Sequence, residues 1–274
     1  MVMSQHARRY AETKLRHVSY YRDFSKPKLI PKRLNEVFKS GEFVFVVDMG
    51  DLFCSVVPSD WIKLIINHVK KFPNTDFLFL TKNPLRYLEF INDFPENVIL
   101  GVTIETNRDD IVMYFTKAPL PSQRYKAMLK VKEIRPKLRR FISIEPIIDF
   151  DLEIFTKWVI DIEPYIVYIG YDNYNNKLPE PELYKVLNFI RTLTHAGITV
   201  IEKTIRKAWW EDKYRNPVFI DNEMCIQQDE DGKIWYCIEY NVKERNWTGL
   251  RKIYYCPKSV KNREDLNECY IDNI

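Results

Sequence analysis

Six short apolar runs in this 274-residue chain each end in polar or charged side chains. Residues 43–47 (FVFVV) are followed by Asp48, Gly50 and Asp51, residues 77–80 (FLFL) by Thr81 and Lys82, and residues 98–104 (VILGVTI) by Glu105, Thr106 and Asn107. Residues 141–144 (FISI) include Ser143 and lead into Glu145 and Pro146, residues 165–169 (YIVYI) into Gly170, Tyr171 and Asp172, and residues 198–201 (ITVI) into Glu202, Lys203 and Thr204. A charge at the end of a buried strand is costly to desolvate unless it is paired or serves a cleft. The candidate ligand-binding set is therefore Asp48, Asp51, Thr81, Lys82, Glu105, Ser143, Glu145, Asp172, Glu202 and Lys203. Carboxylates dominate it, with Lys82 and Lys203 as ion-pair partners. Such a rim suits a small-molecule or nucleoside-like ligand. Alternatively, two carboxylates drawn from Asp51, Glu105, Glu145 and Glu202 could serve as acid and nucleophile on a glycosidic bond, the chemistry of a carboxylate-based barrel hydrolase. The four histidines, His6, His17, His68 and His195, fall away from every strand end, which disfavours a His-based hydrolytic metal centre. Cys54, Cys225, Cys237, Cys256 and Cys269 include no C-x-x-C or C-x-x-x-C pair, so neither a zinc knuckle nor a sequence-local iron–sulfur site is expected.

Positioning these side chains requires a particular scaffold. Continuous apolar runs, as opposed to alternating ones, belong to strands buried on both faces, and those occur in parallel sheets. Helical patterns separate the runs. Pro58, Ser59 and Asp60 open one helix with Trp61, Ile62, Ile65, Ile66 and Val69 in register. Asn83 and Pro84 open another with Leu85, Leu88 and Ile91. Further helices are predicted near 122–135, 151–160 and 180–196, the last stopped by Gly197. Before the first strand, residues 7–18 and a segment from Pro31 carrying Leu34, Val37 and Phe38 read as helices. Repeated β-α units of this kind give an α/β fold, and a partial (β/α) barrel is the expectation. After Trp209 and Trp210, strands near 218–220, 224–228, 234–240 and 253–255, with a turn at 229–232, predict a small antiparallel β-rich appendage. The expected division is a basic helical segment over 1–42, the partial barrel over 43–212 and the appendage over 213–274.

Composition narrows the function further. Hydrophobic residues at 46% supply a core, and seven glycines with no G-x-G-x-x-G or Walker motif exclude a glycine-rich phosphate loop. No apolar run approaches the length of a membrane helix, and no signal core is seen, so a cytoplasmic protein is expected. The net charge of +4 is uneven. Residues 1–42 hold ten Lys/Arg against four Asp/Glu, and residues 124–140 hold eight against Glu133 alone. Nucleic-acid association through these two stretches, with Trp209 and Trp210 as stacking surfaces, is a second alternative. The tryptophans could equally form the seam between barrel and appendage.

Four strings in order and spacing, FVVDMGDLF over 45–53, LFLTKNP over 78–84, NVILGVTIE over 97–105 and FISIEP over 141–146, resemble the phage Gp37/Gp68-like family (DUF5131). That family is a branch of the radical SAM proteins related to spore photoproduct lyase. The resemblance covers about residues 7–205. It implies a radical-SAM-type (β/α)6 barrel whose C-x-x-x-C-x-x-C loop holds a [4Fe–4S] cluster and S-adenosylmethionine. It also places Asp51, Thr81, Glu105, Ser143 and Glu145 near the S-adenosylmethionine pocket. The text QHARRYAETK over 5–14 matches the stretch that follows the family's cysteine loop, and the cysteines themselves are absent. The expectation is thus a radical-SAM-like barrel without its cluster, either an N-terminally shortened enzyme or a degenerate binding or partner protein. Gly170, Tyr171 and Asp172 stand where the family carries glycine-glycine-glutamate, and Glu202 and Lys203 where a Lys-Gln pair is typical. An edge left open by a missing first strand would be covered by the 7–18 helix, the appendage or a partner chain.

Overall fold

The computed structural model describes residues 27–47, 50–113 and 116–211, and beyond them the backbone of seven short strands between 214 and 271. Six strands form one sheet: β1 (Phe43–Val46), β2 (Asp76–Thr81), β3 (Val98–Thr103), β4 (Arg139–Ile144), β5 (Ile166–Ile169) and β6 (Val200–Glu202). They pair in chain order, and every pair is parallel. An order without reversal has no switch point of the doubly wound kind. The result is an α/β half-barrel, as expected from the apolar runs.

The continuous runs follow from the pleat. Phe77, Phe79, Val98, Leu100, Val102, Ile142, Ile144, Val167 and Ile169 belong to the main core. The alternate residues Leu78, Ile99 and Phe141 form a second apolar cluster with Leu80, Ile166 and Tyr168. Successive side chains of a strand point to opposite faces, so both faces are apolar. Register aligns the second set across the sheet, with Leu78 beside Ile99, Gly101 beside Phe141, and Ser143 beside Tyr168. Gly101 is required here. A Cβ at that position would stand 2.9 Å from both Phe141 Cδ1 and the Phe79 carbonyl oxygen.

The helices are α1 (Ser59–Val69), α2 (Asp109–Val112), α3 (Pro121–Ile134), α4 (Leu152–Ile162) and α5 (Leu183–His195). From α3 to α5 each packs against the next, and α3 also packs on a 3-10 segment at Pro84–Phe90. That segment corrects the expected α-helix. It buries Pro84, Tyr87 and Phe90, a spacing of three residues per turn, and leaves Leu85 exposed. Tyr87 explains the choice, because its hydroxyl reaches the Phe79 and Gly101 carbonyl oxygens at 2.9 and 2.7 Å. The expected helix from Pro31 is likewise a short 3-10 segment, Pro31–Asn35, and Val37 is 81% exposed. Gly197 closes α5 with φ +83°, and the Gly197 and Ile198 amides donate to Thr194 and Leu193 carbonyls at 3.0 and 3.1 Å. This is the Schellman pattern anticipated from the glycine.

The helix expected over 7–18 lies outside the described residues. Of the unit expected over 213–274, the description gives antiparallel strand pairs, among them Tyr214–Ile220 with Glu223–Asp229 and Glu239–Asn241 with Asn246–Thr248. The turn expected at 229–232 lies mostly outside it. No helix among the described residues is long and apolar enough to cross a membrane.

Gly101→Ala tests the packing of the inner face. Because one of the 2.9 Å contacts is with backbone, the neighbour has little room to give, and the expected loss is about 1–3 kcal/mol of unfolding free energy in urea titration. Unchanged stability would contradict the close approach.

Candidate functional site

The carboxyl ends of the strands are stitched to one another. Asp51, in the turn after β1, accepts the Thr81 hydroxyl (2.7 Å) and the Phe53 amide (2.9 Å) on Oδ1, and the Lys82 amide (2.9 Å) on Oδ2. Thr81 Oγ1 in turn accepts the Asn83 amide at 2.8 Å. Both side chains brace β1 against β2, with their polar atoms engaged by the protein itself. Asp48 lies outside the described residues.

Glu105 is the most tightly held group of the set. Its Oε2 accepts from Arg124 Nη1 at 2.7 Å, and its Oε1 pairs with the Lys82 ammonium. Arg124, fully buried, comes from the first turn of α3 and also donates to the Thr103 and Pro119 carbonyl oxygens at 3.0 and 2.6 Å. Burial alone would raise the Glu105 pKa, but the charges of Lys82 and Arg124 outweigh it and hold the pKa at about 2. Sequence reading placed Arg124 in the basic stretch 124–140, a candidate for nucleic-acid association. Nothing in its position 19 residues from Glu105 signals the pairing.

Ser143, Glu145 and Lys203 gather on the same face. Ser143 donates to Glu145 Oε2 at 3.3 Å, and the Lys203 ammonium rests 4.8 Å from the centre of the Tyr168 ring. Burial pushes the Glu145 pKa up, opposed by the Lys203 charge and the Ser143 hydroxyl. Asp172, by contrast, closes a turn, accepting the Asn176 amide at 2.6 Å and its side-chain nitrogen at 2.8 Å. Glu202 stands in register with Ile169, a main-core residue, and so projects to the helix side of the sheet, away from Ser143 and Phe141. The hydrolase pair of Glu105 and Glu202 is not brought together, and an ionised Glu105 has no proton to give a leaving group at neutral pH.

Five of the eight cations in the basic stretch 124–140 are held in contacts within the protein. Besides Arg124, Lys132 pairs with Glu163 (2.7 Å), Arg135 with Glu96 (2.7 Å) and Arg139 with Asp76, while Arg140 donates to the Ile162 and Leu138 carbonyl oxygens. Only Lys126, Lys130 and Lys137 of the eight are exposed. Trp210 is fully buried with its Nε1 on the Glu180 carbonyl (2.9 Å), and Trp209 Nε1 donates to the Leu178 carbonyl (2.8 Å). Trp210 belongs to the main core and offers no stacking surface, while Trp209 is half-buried with the Lys177 ammonium 4.8 Å from its ring centre. Most of residues 1–42, the other basic stretch, lie outside the described residues.

A loop missed by sequence reading ties the rim together. The Ile147, Ile148 and Asp149 amides donate to the Gly170, Glu105 and Pro179 carbonyls at 2.8, 3.0 and 2.8 Å, and Thr106 Oγ1 donates to the Asp149 carbonyl at 2.6 Å.

Glu105→Gln leaves Arg124 buried without its counter-charge, and the expected destabilisation is about 3–5 kcal/mol. The sign of the pH effect follows from the lowered pKa. The stabilisation is present above the ordinary carboxylate value of 4.5 and is lost as pH falls toward about 2. Thermal unfolding followed across that window should show wild type losing more stability than the variant. Parallel curves would contradict the assignment.

Solved structures of Streptococcus suis SuiB, one of them bound to S-adenosylmethionine, are similar at 11% and 12% identity with TM-scores of 0.34 and 0.33, over 83% and 84% of this chain and 70% of each of theirs. A search of curated proteins finds no match. Among families, the model described as a protein of unknown function, DUF5131, matches residues 2–161, and the chain belongs to that family.

Proposed function

We propose that the carboxyl end of the half-barrel binds a nucleoside-like small molecule, with S-adenosylmethionine the first candidate through the resemblance to the radical SAM branch related to spore photoproduct lyase. One observation carries this most. An apolar floor of buried Leu78, Ile99 and Phe141, topped by half-buried Leu80, Ile166 and Tyr168, lies on the same face as Lys82, Glu105, Ser143, Glu145 and Lys203. Ligand sites combine largely apolar and aromatic walls with a few convergent polar groups. A flat heteroaromatic ring suits the floor, and the hydroxyls of a sugar suit the rim. Lys82 and Lys203 keep contact with solvent, so the rim is reachable.

The donor set of this sequence does not fit an iron–sulfur cluster. A [4Fe–4S] cluster is held by thiolates brought together, as in C-x-x-x-C-x-x-C, and the sequence has no such spacing. Cys54, the one cysteine with a described side chain, is half-buried, and no group of three metal-binding side chains occurs among the described residues. The function proposed is therefore binding. Lys82 and Glu105 would orient polar groups of the ligand, Ser143 would contribute a hydroxyl, and the floor would exclude water from the ring.

Calorimetric titration of the full chain with S-adenosylmethionine, S-adenosylhomocysteine and adenosine tests this. Dissociation constants on the order of micromolar are expected, weakened about tenfold by Lys82→Ala and by Ser143→Ala. Absence of heat with all three at about 1 mM, in protein with a native circular dichroism spectrum, would overturn the proposal.

A further inference from the structure

β1 ends the sheet, pairing with β2 and with no other described strand. The Asp76 amide donates to the Glu42 carbonyl oxygen at 2.9 Å, and successive residues of a parallel strand turn their backbone groups to opposite edges. Val44 and Val46 therefore face β2 with their N–H and C=O groups, while Phe43 and Phe45 turn theirs to the open edge. Both phenylalanine side chains are exposed as well, at 60% and 42%. Phe45 stands in register with Leu78, which puts the two rings on the inner face. Sheet edges are commonly guarded by a charge or a proline, and neither occurs between Phe43 and Val46. The apolar surface continues onto α1. His68 of α1 lies against Phe38 and the Glu36 carbonyl, just ahead of β1, so its side of the helix faces the edge. Trp61, Leu64 and Ile65 precede His68 by seven, four and three residues and share that side. Leu64 is 46% exposed and the other two are half-buried.

We propose that two copies of the chain associate through this edge, β1 running antiparallel to its counterpart about a two-fold axis at Val44. The edge is self-complementary in that register. Phe43 falls opposite Phe45 of the partner subunit and the reverse, so the outward N–H and C=O groups of both residues gain hydrogen-bond partners. The rings then lie side by side on the inner face as cross-strand aromatic pairs. Glu42, the one charge within 42–46, falls opposite an apolar Val46. On the outer face, a right-handed crossover sets each α1 over its own β1–β2 pair. Adjoining strands about 4.8 Å apart then bring the two α1 helices to about 10 Å, the distance at which helices pack. Trp61, Leu64 and Ile65 are buried there, on a side of the helix that carries no Asp, Glu, Lys or Arg. A foreign strand would satisfy the backbone equally, but only another half-barrel brings a second α1 to the exposed Leu64. An isologous contact of this kind closes at two copies. It involves none of the groups at the strand ends and is independent of the nucleoside-like ligand.

Sedimentation velocity of the full chain from about 5 to about 200 µM tests the association. The protein should pass from monomer to dimer across that range, and Phe45→Pro and Leu64→Lys should each weaken the dimer at least about tenfold. Phe45→Pro removes an amide that faces away from β2, a place where an edge strand tolerates proline. If circular dichroism shows that this variant does not fold, Leu64→Lys and Phe43→Lys decide. The register has its own readout. Residues opposed on the axis form a non-hydrogen-bonded pair with Cα atoms about 4.5 Å apart, within reach of a disulfide. Mild oxidation of Val44→Cys should therefore join two copies through residue 44, as mapped by peptide mass spectrometry, and Val46→Cys should not be joined through residue 46. A monomer throughout the range, a dimer unaffected by the folded variants, or no disulfide at residue 44 would overturn the assignment. So would a monomer that takes up a strand of another protein in place of its own copy.

Discussion

A charged guanidinium sits without solvent contact at the end of β3, and this single constraint organises the rim. Arg124 has to be neutralised where it is buried, since an uncompensated interior charge would cost more than the fold can bear. Glu105 supplies the charge, and the Thr103 and Pro119 carbonyls take two further donors. The result joins the first turn of α3 to the end of β3, and through Lys82 to the end of β2. Replacing such a group by apolar residues of the same volume could be neutral in stability. What the pairing secures is position, because a two-point contact leaves the carboxylate little freedom to rotate.

Position is secured in the same way around the remaining ends. Asp51 fixes β1 against β2, the Ile147 to Asp149 backbone spans from Glu105 to Gly170, and Arg206 grips Glu180 through two contacts of 2.7 Å while lying over Tyr171. In each case a loop that would otherwise expose unpaired backbone groups satisfies them from a neighbouring loop. The side chains left with outward-reaching heads are long and charged. Lys82 and Lys203 are held near the sheet by Glu105 and by the Tyr168 ring, and both end in water. The rim is thus braced through its loops, with the two ammonium groups reaching solvent.

Much of the scaffold was legible because its physical cause is written along the chain. Both faces of β2 to β5 are apolar, so the strands appear as unbroken runs, and Gly197 marks the end of α5 by its positive φ. The 3-10 segment at Pro84–Phe90 was not legible, since its tighter winding is set by the Tyr87 hydroxyl reaching two sheet carbonyls. The rim was half legible. Sequence marks which residues end a strand, but a polar residue there can either face a ligand or brace a loop. Asp51, Thr81 and Asp172 brace; Lys82, Glu105, Ser143, Glu145 and Lys203 share the inner face; Glu202 is turned away by one step of the pleat. Arg124 was misread for the complementary reason. In a run of eight cations nothing distinguishes the one whose partner lies inside.

The inner face therefore carries two carboxylates whose environments drive them apart. Glu105, flanked by two cations, stays ionised down to a pH of about 2, while burial holds the Glu145 proton more tightly than usual. Groups separated in this way divide their roles. Glu105 is a fixed charge, able to orient a donor but not to exchange a proton near neutrality. Glu145 stands beside a hydroxyl and an unpaired ammonium, and it is the member of the pair whose protonation a bound cation would change. The two carboxylates of one face thus differ in kind, one held ionised by its flanking cations and the other favoured in its protonated form by burial.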